Sequence, residues 1–209
     1  MRVLFFGAGF SSQAIAADLS SSSERIYGTT RSRENFDRLE FLNIQPLLFD
    51  GIVVGEKLAD ALKSATHVVQ SIAPPRDSEP DLRGSATDPV LAAMAPNTLV
   101  KNMPALRWVG YLSTVGVYGN HDGAWVDENT LVRPVSVRSQ QRVSAESEWT
   151  AECNHAGIPL GIFRLSGIYG PGRNAFVSIE KGKSRRLVKQ GQVFNRIHVN
   201  DIGAAVGKA

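Results

Sequence analysis

Cysteine is almost absent from this sequence, which contains one, Cys153, among 209 residues. Because a disulfide within the chain needs two cysteines, none can form, and we expect a reducing, cytoplasmic compartment. His155 lies close to Cys153 in the sequence, but a structural zinc site takes about four ligands. We therefore predict no metal site, and we interpret Cys153 as a thiol on the face of a helix.

Long hydrophobic runs are also missing. No stretch approaches the roughly 20 apolar residues of a membrane helix. The apolar start, 1–6, stops at Gly7 and lacks the cleavage site of a signal peptide. An excess of one charge is absent too, since 23 Lys and Arg face 20 Asp and Glu, which does not indicate nucleic acid. A hydrophobic content of 43% excludes global disorder, because it suffices for a core.

The sequence does contain short apolar runs that alternate with amphipathic stretches. The apolar runs are typical of buried parallel strands and lie at 3–6, 25–30, 47–49, 67–72, 108–112 and 160–164. Helical spacing follows at 12–19, 34–42, 56–62, 90–94, 137–154 and 200–209. This pattern predicts an α/β doubly wound parallel sheet that forms one domain over 1–209. Because the chain stops within an apparent helix, we expect its C-terminal region to be short or truncated.

A glycine-rich segment lies between the first predicted strand and the first helix, where a dinucleotide-binding turn occurs. Gly7 permits the tight turn, and Gly9, which has no Cβ, lets a pyrophosphate approach the backbone. The helix that begins near Phe10 and Ser11 points its N–H groups at that anion. Ser12 replaces a third glycine and is small enough for close packing, and its hydroxyl could contact a phosphate. We predict that these five residues hold the cofactor; the alternative is a glycine turn with no ligand.

The end of the second predicted strand favours NADP over NAD. A site that prefers NAD has an acid here for the ribose hydroxyls, whereas the segment 28–33 of this sequence contains no acid, and the first one after it is Glu34. Arg31, with Arg33 nearby, could pair bidentately with a 2′-phosphate. Thr30 and Ser32 could add hydroxyl groups. NAD stays possible, because the alternative is that these arginines are solvated residues at the start of a helix.

Three other features could face ligands. Asp50, at the end of the third predicted strand, could meet the adenine edge or could be an acid at the start of a helix. Ala73, after the fourth strand, is small enough to let the cofactor ribose pass. The basic run 181–189 could bind an anionic substrate or could be a solvated loop, and nucleic acid is not expected because no aromatics are interleaved with it.

Three later segments resemble the extended short-chain dehydrogenases/reductases. Residues 112–119 (LSTVGVYG) resemble the family's S-[ST]-x-x-VYG segment, 164–173 (RLSGIYGPGR) its R-x-x-x-[IV]YGPG segment, and 197–202 (IHVNDI) its IHV-x-D-[IV] segment. With the glycine turn they follow the family order. The resemblance implies a Rossmann-type fold, a nicotinamide dinucleotide and, often, epimerase, dehydratase or reductase chemistry on nucleotide sugars.

The resemblance also implies roles for single residues. Thr114 lies at the position of the family's catalytic Ser or Thr, and Ser113 beside it would contact the cofactor. Ser166 and Gly167 would lie near the nicotinamide end. The long helix that contains Trp149 forms a dimer face in some related folds, so a homodimer is possible.

The resemblance fails at the family's Y-x-x-x-K pair, which shuttles a proton and holds the nicotinamide ribose. Aligned on Glu146 and on the distance from Tyr118, Arg138 replaces the tyrosine and Arg142 the lysine. Arg142 can still hold ribose hydroxyls and supply charge. Arg138 cannot shuttle a proton, because a guanidinium stays protonated near neutral pH. The sequence is similar to an atypical subgroup that keeps the dinucleotide turn and lacks the tyrosine.

Two functions are therefore expected. The first is an NADP-binding, epimerase/dehydratase-like oxidoreductase with Thr114 and Arg142 at the reacting end and a small, anionic substrate such as a nucleotide sugar. The second is a non-catalytic dinucleotide-binding module that senses redox state. A structural subunit with a vestigial turn is a third alternative. Neither nucleic acid nor a membrane is expected as a partner.

Overall fold

A six-stranded parallel sheet lies at the centre of the computed structural model, which describes residues 1–75, 88–185, 188, 191 and 193–209. Its strands are β1 (Arg2–Phe6), β2 (Arg25–Thr30), β3 (Gln45–Leu48), β4 (His67–Gln70), β5 (Trp108–Thr114) and β6 (Leu160–Leu165). Their order across the sheet is β3-β2-β1-β4-β5-β6. The predicted α/β doubly wound class is confirmed. Near-continuous apolar strands fit this arrangement because helices cover both faces of such a sheet.

The helices are α1 (Phe10–Leu19), α2 (Phe36–Phe41), α3 (Glu56–Ser64), α4 (Pro89–Ala92), α5 (Leu99–Asn102), α6 (Val137–Ala156), α7 (Ala175–Glu180) and α8 (Val199–Gly207). Helices α1 to α6 connect successive strands of the sheet, and α7 and α8 follow β6. A separate pair of short parallel strands, β7 (Gly167–Tyr169) and β8 (Arg196–His198), follows the main sheet.

The core has two parts, one on each face of the sheet. Leu4 and Phe6 belong to one apolar cluster, and Val3 and Phe5 belong to the other. This division follows from strand geometry, because successive side chains of a strand point to opposite faces. All four side chains are fully buried, so the first strand is the centre of both halves of the core.

The long helix α6 has clear sequence signals at both ends. The Ser136 hydroxyl accepts a hydrogen bond from the Ser139 N–H at 3.1 Å, and Gly157 ends the helix in the left-handed conformation at φ 68°. Trp149 and Cys153 are buried on its inner face. Burial raises the pKa of the Cys153 thiol to about 12, so this cysteine is an inert core residue.

The C-terminal helix α8 packs directly on α1, the helix that follows the glycine turn. The contact is close because Gly203 presents no side chain: a Cβ there would lie 2.9 Å from the carbonyl oxygen of Ala14. A backbone atom cannot move aside as a side chain can. The two helices therefore approach closely, and α8 supports the helix that begins at the glycine turn.

Some predicted boundaries are wrong. The predicted helix 34–42 is a 3₁₀ turn at Arg33–Asn35 followed by the shorter α2. The third strand begins at Gln45, and Pro46 is tolerated in it because β3 is an edge strand. The last helix ends at Gly207 rather than running to Ala209.

The stretch 74–89 is rich in Pro, Asp and Ser, which predicts a loop, and it lies mostly outside the described residues. The end of this stretch differs from the prediction, because helix α4 begins at Pro89 and the Asp88 side chain caps its first turn. The short elements α5, α7 and β7 were not predicted, since three to six residues are too few to show a periodic pattern.

No helix in the described part of the chain is both long and apolar enough to cross a membrane. Within those same residues, no group of three or more His, Cys, Asp or Glu side chains is placed to hold a metal ion.

Candidate functional site

The sheet contains a topological switch point between β1 and β4. From β1 the strand order runs through β2 and β3 to one edge, and from β4 it runs through β5 and β6 to the other. Open α/β sheets of this kind bind ligands in the crevice at the carboxyl ends of the strands at such a point. The glycine turn follows β1 and Ala73 follows β4, so both lie at this crevice.

The two glycines of the turn differ in their surroundings: Gly7 is closely packed, and Gly9 faces open space. Gly7 has φ 86°, and a Cβ there would lie 3.0 Å from both Ile72 Cγ1 and Ser71 Oγ. Gly9 has φ −85° and precedes α1 with no side-chain cap, and a Cβ built on it meets nothing within 4 Å. The first turn of α1 therefore presents its N–H groups beside open space. The predicted cofactor fits this cradle, because a pyrophosphate binds backbone N–H groups at a helix start.

Ser12 differs from the prediction. Its side chain is fully buried, and its hydroxyl donates to the Gly7 carbonyl at 2.7 Å and contacts the Ser71 hydroxyl at 2.9 Å. The expected phosphate contact from this hydroxyl is therefore corrected, because the hydroxyl is enclosed between the turn and β4. The expected close packing of a small residue at this position is observed.

Two residues that the sequence reasoning missed hold the turn in place. The Ser71 hydroxyl contacts the Gly7 carbonyl at 2.7 Å, and the Thr29 hydroxyl accepts from the Gly7 N–H at 2.8 Å. The Ala8 N–H donates to the Thr29 carbonyl at 2.8 Å. Polar residues at the ends of otherwise apolar strands were the available signal.

The end of β2 forms a polar corner next to the turn. The Thr30 hydroxyl accepts from the Asn35 side-chain amide at 3.1 Å, and the Ser32 hydroxyl accepts from the Glu34 N–H at 3.3 Å. Arg31 is exposed and makes no hydrogen bond or ion pair within the described part of the chain. Arg31 is thus available to a ligand, whereas the Thr30 and Ser32 hydroxyls also cap local backbone and side-chain groups.

A second arginine, Arg38, was missed at this corner. It donates to the Gln13 side-chain oxygen at 2.9 Å and to the Asn35 side-chain oxygen at 3.1 Å. Gln13 in turn donates to the Ala8 carbonyl at 2.8 Å. The guanidinium is therefore linked to the glycine turn through one side chain. Its place on a short amphipathic helix resembles that of any solvated residue, so the sequence carried no signal for it.

Asp50 lies in a turn after β3. Its carboxylate accepts from the N–H groups of Ile52 at 2.8 Å and Val53 at 3.1 Å, and these bonds lower the pKa of Asp50. The next helix begins at Glu56, so the interpretation of Asp50 as an acid at a helix start is wrong. The side chain is exposed at the carboxyl end of β3, and its contact with adenine stays a prediction.

The segment after β6 covers the start of α1. The Arg173 guanidinium lies 5.6 Å from the centroid of the Phe10 ring, and a Cβ on Gly170 would be 3.2 Å from the same ring. Gly167 is exposed in β7, and a Cβ there would be 2.6 Å from the Arg196 guanidinium. Ser166 precedes it and is partly buried. Neither Ser166 nor Gly167 lines the cavity described next.

A polar cavity of about 370 Å³ lies at the carboxyl ends of β4 and β5 and at the start of α6. Its lining residues are Ala73, Pro74, Thr114, Ser136, Arg138, Ser139, Gln141 and Arg142. The structure thus brings together Thr114, Arg138 and Arg142, as the family alignment implied. The Thr114 hydroxyl also accepts from the Gly116 N–H at 3.2 Å, which orients it at the end of β5.

Arg142 is partly held by β5. Its Nη1 donates to the Leu112 carbonyl at 2.9 Å and to the Tyr111 hydroxyl at 3.3 Å. Tyr111 is fully buried, and burial raises the pKa of its hydroxyl to about 12. Tyr111 is therefore a core residue, and it is not among the described residues that line the cavity. Arg142 lies in the cavity wall with one nitrogen fixed.

Ser113 also differs from the prediction. Its side chain is buried, and its hydroxyl donates to Glu146 at 2.5 Å. Glu146 forms an ion pair with Arg164 at 2.9 Å, and Arg164 donates to the Tyr118 hydroxyl at 3.0 Å. The expected cofactor contact from the Ser113 hydroxyl is therefore corrected, because a carboxylate of α6 takes that hydroxyl into a buried polar network.

Comparison with known proteins places this geometry in a structural class. No family model matches the chain, and no curated protein matches it significantly. A functionally unknown conserved protein from Silicibacter pomeroyi is 40% identical over 98% of this chain, with a TM-score of 0.80. This chain spans 66% of that protein's length.

Solved enzymes share the fold at lower identity. The dTDP-glucose 4,6-dehydratase of Bacillus anthracis in complex with NAD is 23% identical over 99% of this chain and 70% of its own, with a TM-score of 0.73. The UDP-glucuronic acid 4-epimerase of Bacillus cereus, in complex with UDP-glucuronic acid and NAD, is 22% identical over 99% and 72%, also with a TM-score of 0.73. The chain has a Rossmann-type α/β fold. The structures that share this fold include this dehydratase and this epimerase, each solved in complex with NAD.

Proposed function

We propose that this chain binds NADP at the carboxyl edge of its sheet and is an epimerase/dehydratase-like oxidoreductase of a small substrate. The observation that carries the proposal is the open space at Gly9, beside the uncapped start of α1. The cavity with Thr114 and Arg142 lies on the same edge, two strands away. The dehydratase and the epimerase that share this fold are in complex with NAD, which supports a nicotinamide dinucleotide at this edge.

Different residues of this chain would contact different parts of the cofactor. The backbone at Gly9, Phe10 and Ser11 would hold the pyrophosphate, because the N–H groups of a helix start attract an anion. Since parallel strands lie about 4.8 Å apart, β1 and β5 are separated by about 10 Å, and an extended ligand can reach from the turn to the cavity. Ala73 lies between them, after β4. When bound, the nicotinamide would supply the hydride donor or acceptor next to Thr114 and Arg142.

The choice of NADP rests on Arg31. This arginine is exposed beside the turn and has no partner within the described residues, and the segment 28–33 contains no acid. A planar guanidinium pairs well with a 2′-phosphate, which NAD lacks. Arg38 adds a second positive charge at the same corner.

We expect an Arg31→Gln variant to bind NADPH about tenfold more weakly, because a hydrogen bond to a charged group contributes about 1.5–3 kcal/mol. The affinity for NADH should stay unchanged. Isothermal titration calorimetry of the wild type and the variant with both cofactors measures this. Arg107→Gln is the matched control, since Arg107 is exposed just before β5 at the opposite end of the sheet. Wild-type protein that binds NADH as tightly as NADPH would contradict the choice of NADP.

One observation favours a second function, a dinucleotide-binding module that senses redox state without turnover. The titratable side chains in the described cavity lining are guanidiniums, which do not exchange a proton near neutral pH. The two functions differ in turnover. Oxidation of NADPH by the wild type with any nucleotide sugar or carbonyl compound would contradict the sensor. Turnover by Arg138→Tyr alone would indicate a site that lacks only its proton shuttle.

A further inference from the structure

The charged side chains described in the lining of the cavity at the end of β5 are both positive. Two guanidiniums, Arg138 and Arg142, share it with the hydroxyls of Thr114, Ser136 and Ser139. No carboxylate occurs among the described residues that line it. Arg138 is exposed at the mouth, whereas Arg142 is half-buried in the wall. Within the described part of its lining, the cavity therefore contains two positive charges and no negative one.

The carboxylate one helical turn after Arg142 on α6 pairs with another arginine. Glu146 lies one turn after Arg142 on α6, but its carboxylate pairs with Arg164 at 2.9 Å and accepts from Ser113. Within the described part of the chain, neither cavity arginine forms an ion pair. Two positive charges that share a cavity repel each other, and an anion between them offsets this repulsion.

The orientation of Arg142 is fixed in advance. Its Nη1 is anchored to the Leu112 carbonyl at 2.9 Å, and its other nitrogens make no hydrogen bond within the described residues. A guanidinium that is held by one nitrogen loses less conformational entropy when it binds a ligand. The volume of about 370 Å³ is within the range of small-molecule sites, roughly 300–1,000 Å³.

We propose that this cavity binds an oxyanion of a small molecule, a carboxylate or a phosphate, between Arg138 and Arg142, with a hydroxyl bond from Thr114. Arginine pairs bidentately with either group. The inference rests on the proposed function in one respect: it assigns the oxyanion to a substrate that lies beside the cofactor. The substrate class is therefore anionic at the reacting end, where the resembled family has a proton-shuttling tyrosine.

The test uses one small probe of each chemistry, methyl phosphate and acetate, with methanol and acetamide as neutral controls. Each is titrated into the full chain, labelled with nitrogen-15, with and without NADPH, while the amide signals of Thr114 and Ser139 and the side-chain Nε signals of the arginines are followed by NMR. We expect saturable shifts of the Thr114 and Arg142 signals with at least one anion and none with the neutral controls. Saturation by methyl phosphate alone assigns a phosphate, and saturation by acetate alone assigns a carboxylate.

Arg138→Gln is the decisive variant. Because Arg138 is exposed, the substitution leaves the core intact, and we expect the anion to bind at least about tenfold more weakly, as a charge-assisted hydrogen bond is lost. NADPH affinity, measured by calorimetry, should not change. The control variant Arg107→Gln removes an exposed arginine outside the cavity and should change neither.

The outcomes separate this inference from the proposed function. Binding of NADPH without saturable shifts from either anion overturns the oxyanion site and leaves the proposed function standing. Anion binding that Arg138→Gln does not weaken also overturns it, because the anion would then lie elsewhere. Saturable anion binding that depends on Arg138, in a protein that binds no dinucleotide, supports the oxyanion site and contradicts the proposed function.

Discussion

A Gly9→Ala variant should fold normally and bind NADPH at least about tenfold more weakly, since one methyl group would displace an anion from the helix start. The folded protein has room for this methyl group: the backbone at Gly9 has φ −85°, which alanine adopts, and no atom lies within 4 Å of a Cβ there. The only expected clash is with a ligand. Calorimetric titration with NADPH measures the loss of affinity, and thermal unfolding without cofactor measures stability.

The chain offers a closely matched control in Gly55. It also precedes a helix, α3, has φ −71°, lacks a side-chain cap and has no atom within 4 Å of a Cβ. Gly55→Ala should therefore have the same effect on stability, within about 1 kcal/mol, because both substitutions exchange glycine for alanine at a helix start. NADPH affinity should stay unchanged in Gly55→Ala. Equal affinities for the two variants would contradict a pyrophosphate site at Gly9.

The second large effect is expected on stability, from Arg164→Met. The Glu146 side chain is 7% exposed and pairs with Arg164 at 2.9 Å. Loss of the guanidinium leaves a buried carboxylate without its cation, so we expect the free energy of unfolding to fall by about 3 kcal/mol. Urea denaturation of the two proteins measures the difference.

Lys63→Met is the control for burial. Lys63 and Asp60 form an ion pair of the same 2.9 Å length, but both side chains are 66% exposed. Exposed pairs contribute about 0–1 kcal/mol, so this variant should unfold almost like the wild type. A double variant, Glu146→Gln with Arg164→Met, should regain part of the loss because no unpaired charge remains. If Arg164→Met costs no more than Lys63→Met, the buried pair does not stabilise the fold.

Local sequence pattern was sufficient for the secondary structure of the sheet. Short runs in the sequence predict β1, β2, β5 and β6 to within two residues. For β1 and β5 the reason is that a strand buried on both faces is apolar along most of its length. The glycine turn is equally local, because Gly7 and Gly9 lie between a strand and a helix. The order of the strands in the sheet depends on contacts far apart in the chain, and no local pattern contains it.

The direction of a hydroxyl or guanidinium was decided only by tertiary structure. The Ser12 hydroxyl meets Ser71, 59 positions away, and the Ser113 hydroxyl meets Glu146, 33 positions away. The sequence by itself determined that a small residue stands at each place. Which partner takes up the hydroxyl depends on the packing of β4 and α6. The i, i+4 spacing places Arg138 and Arg142 on one face of α6. That this face lines a cavity with Thr114 depends on the packing of α6 against β5.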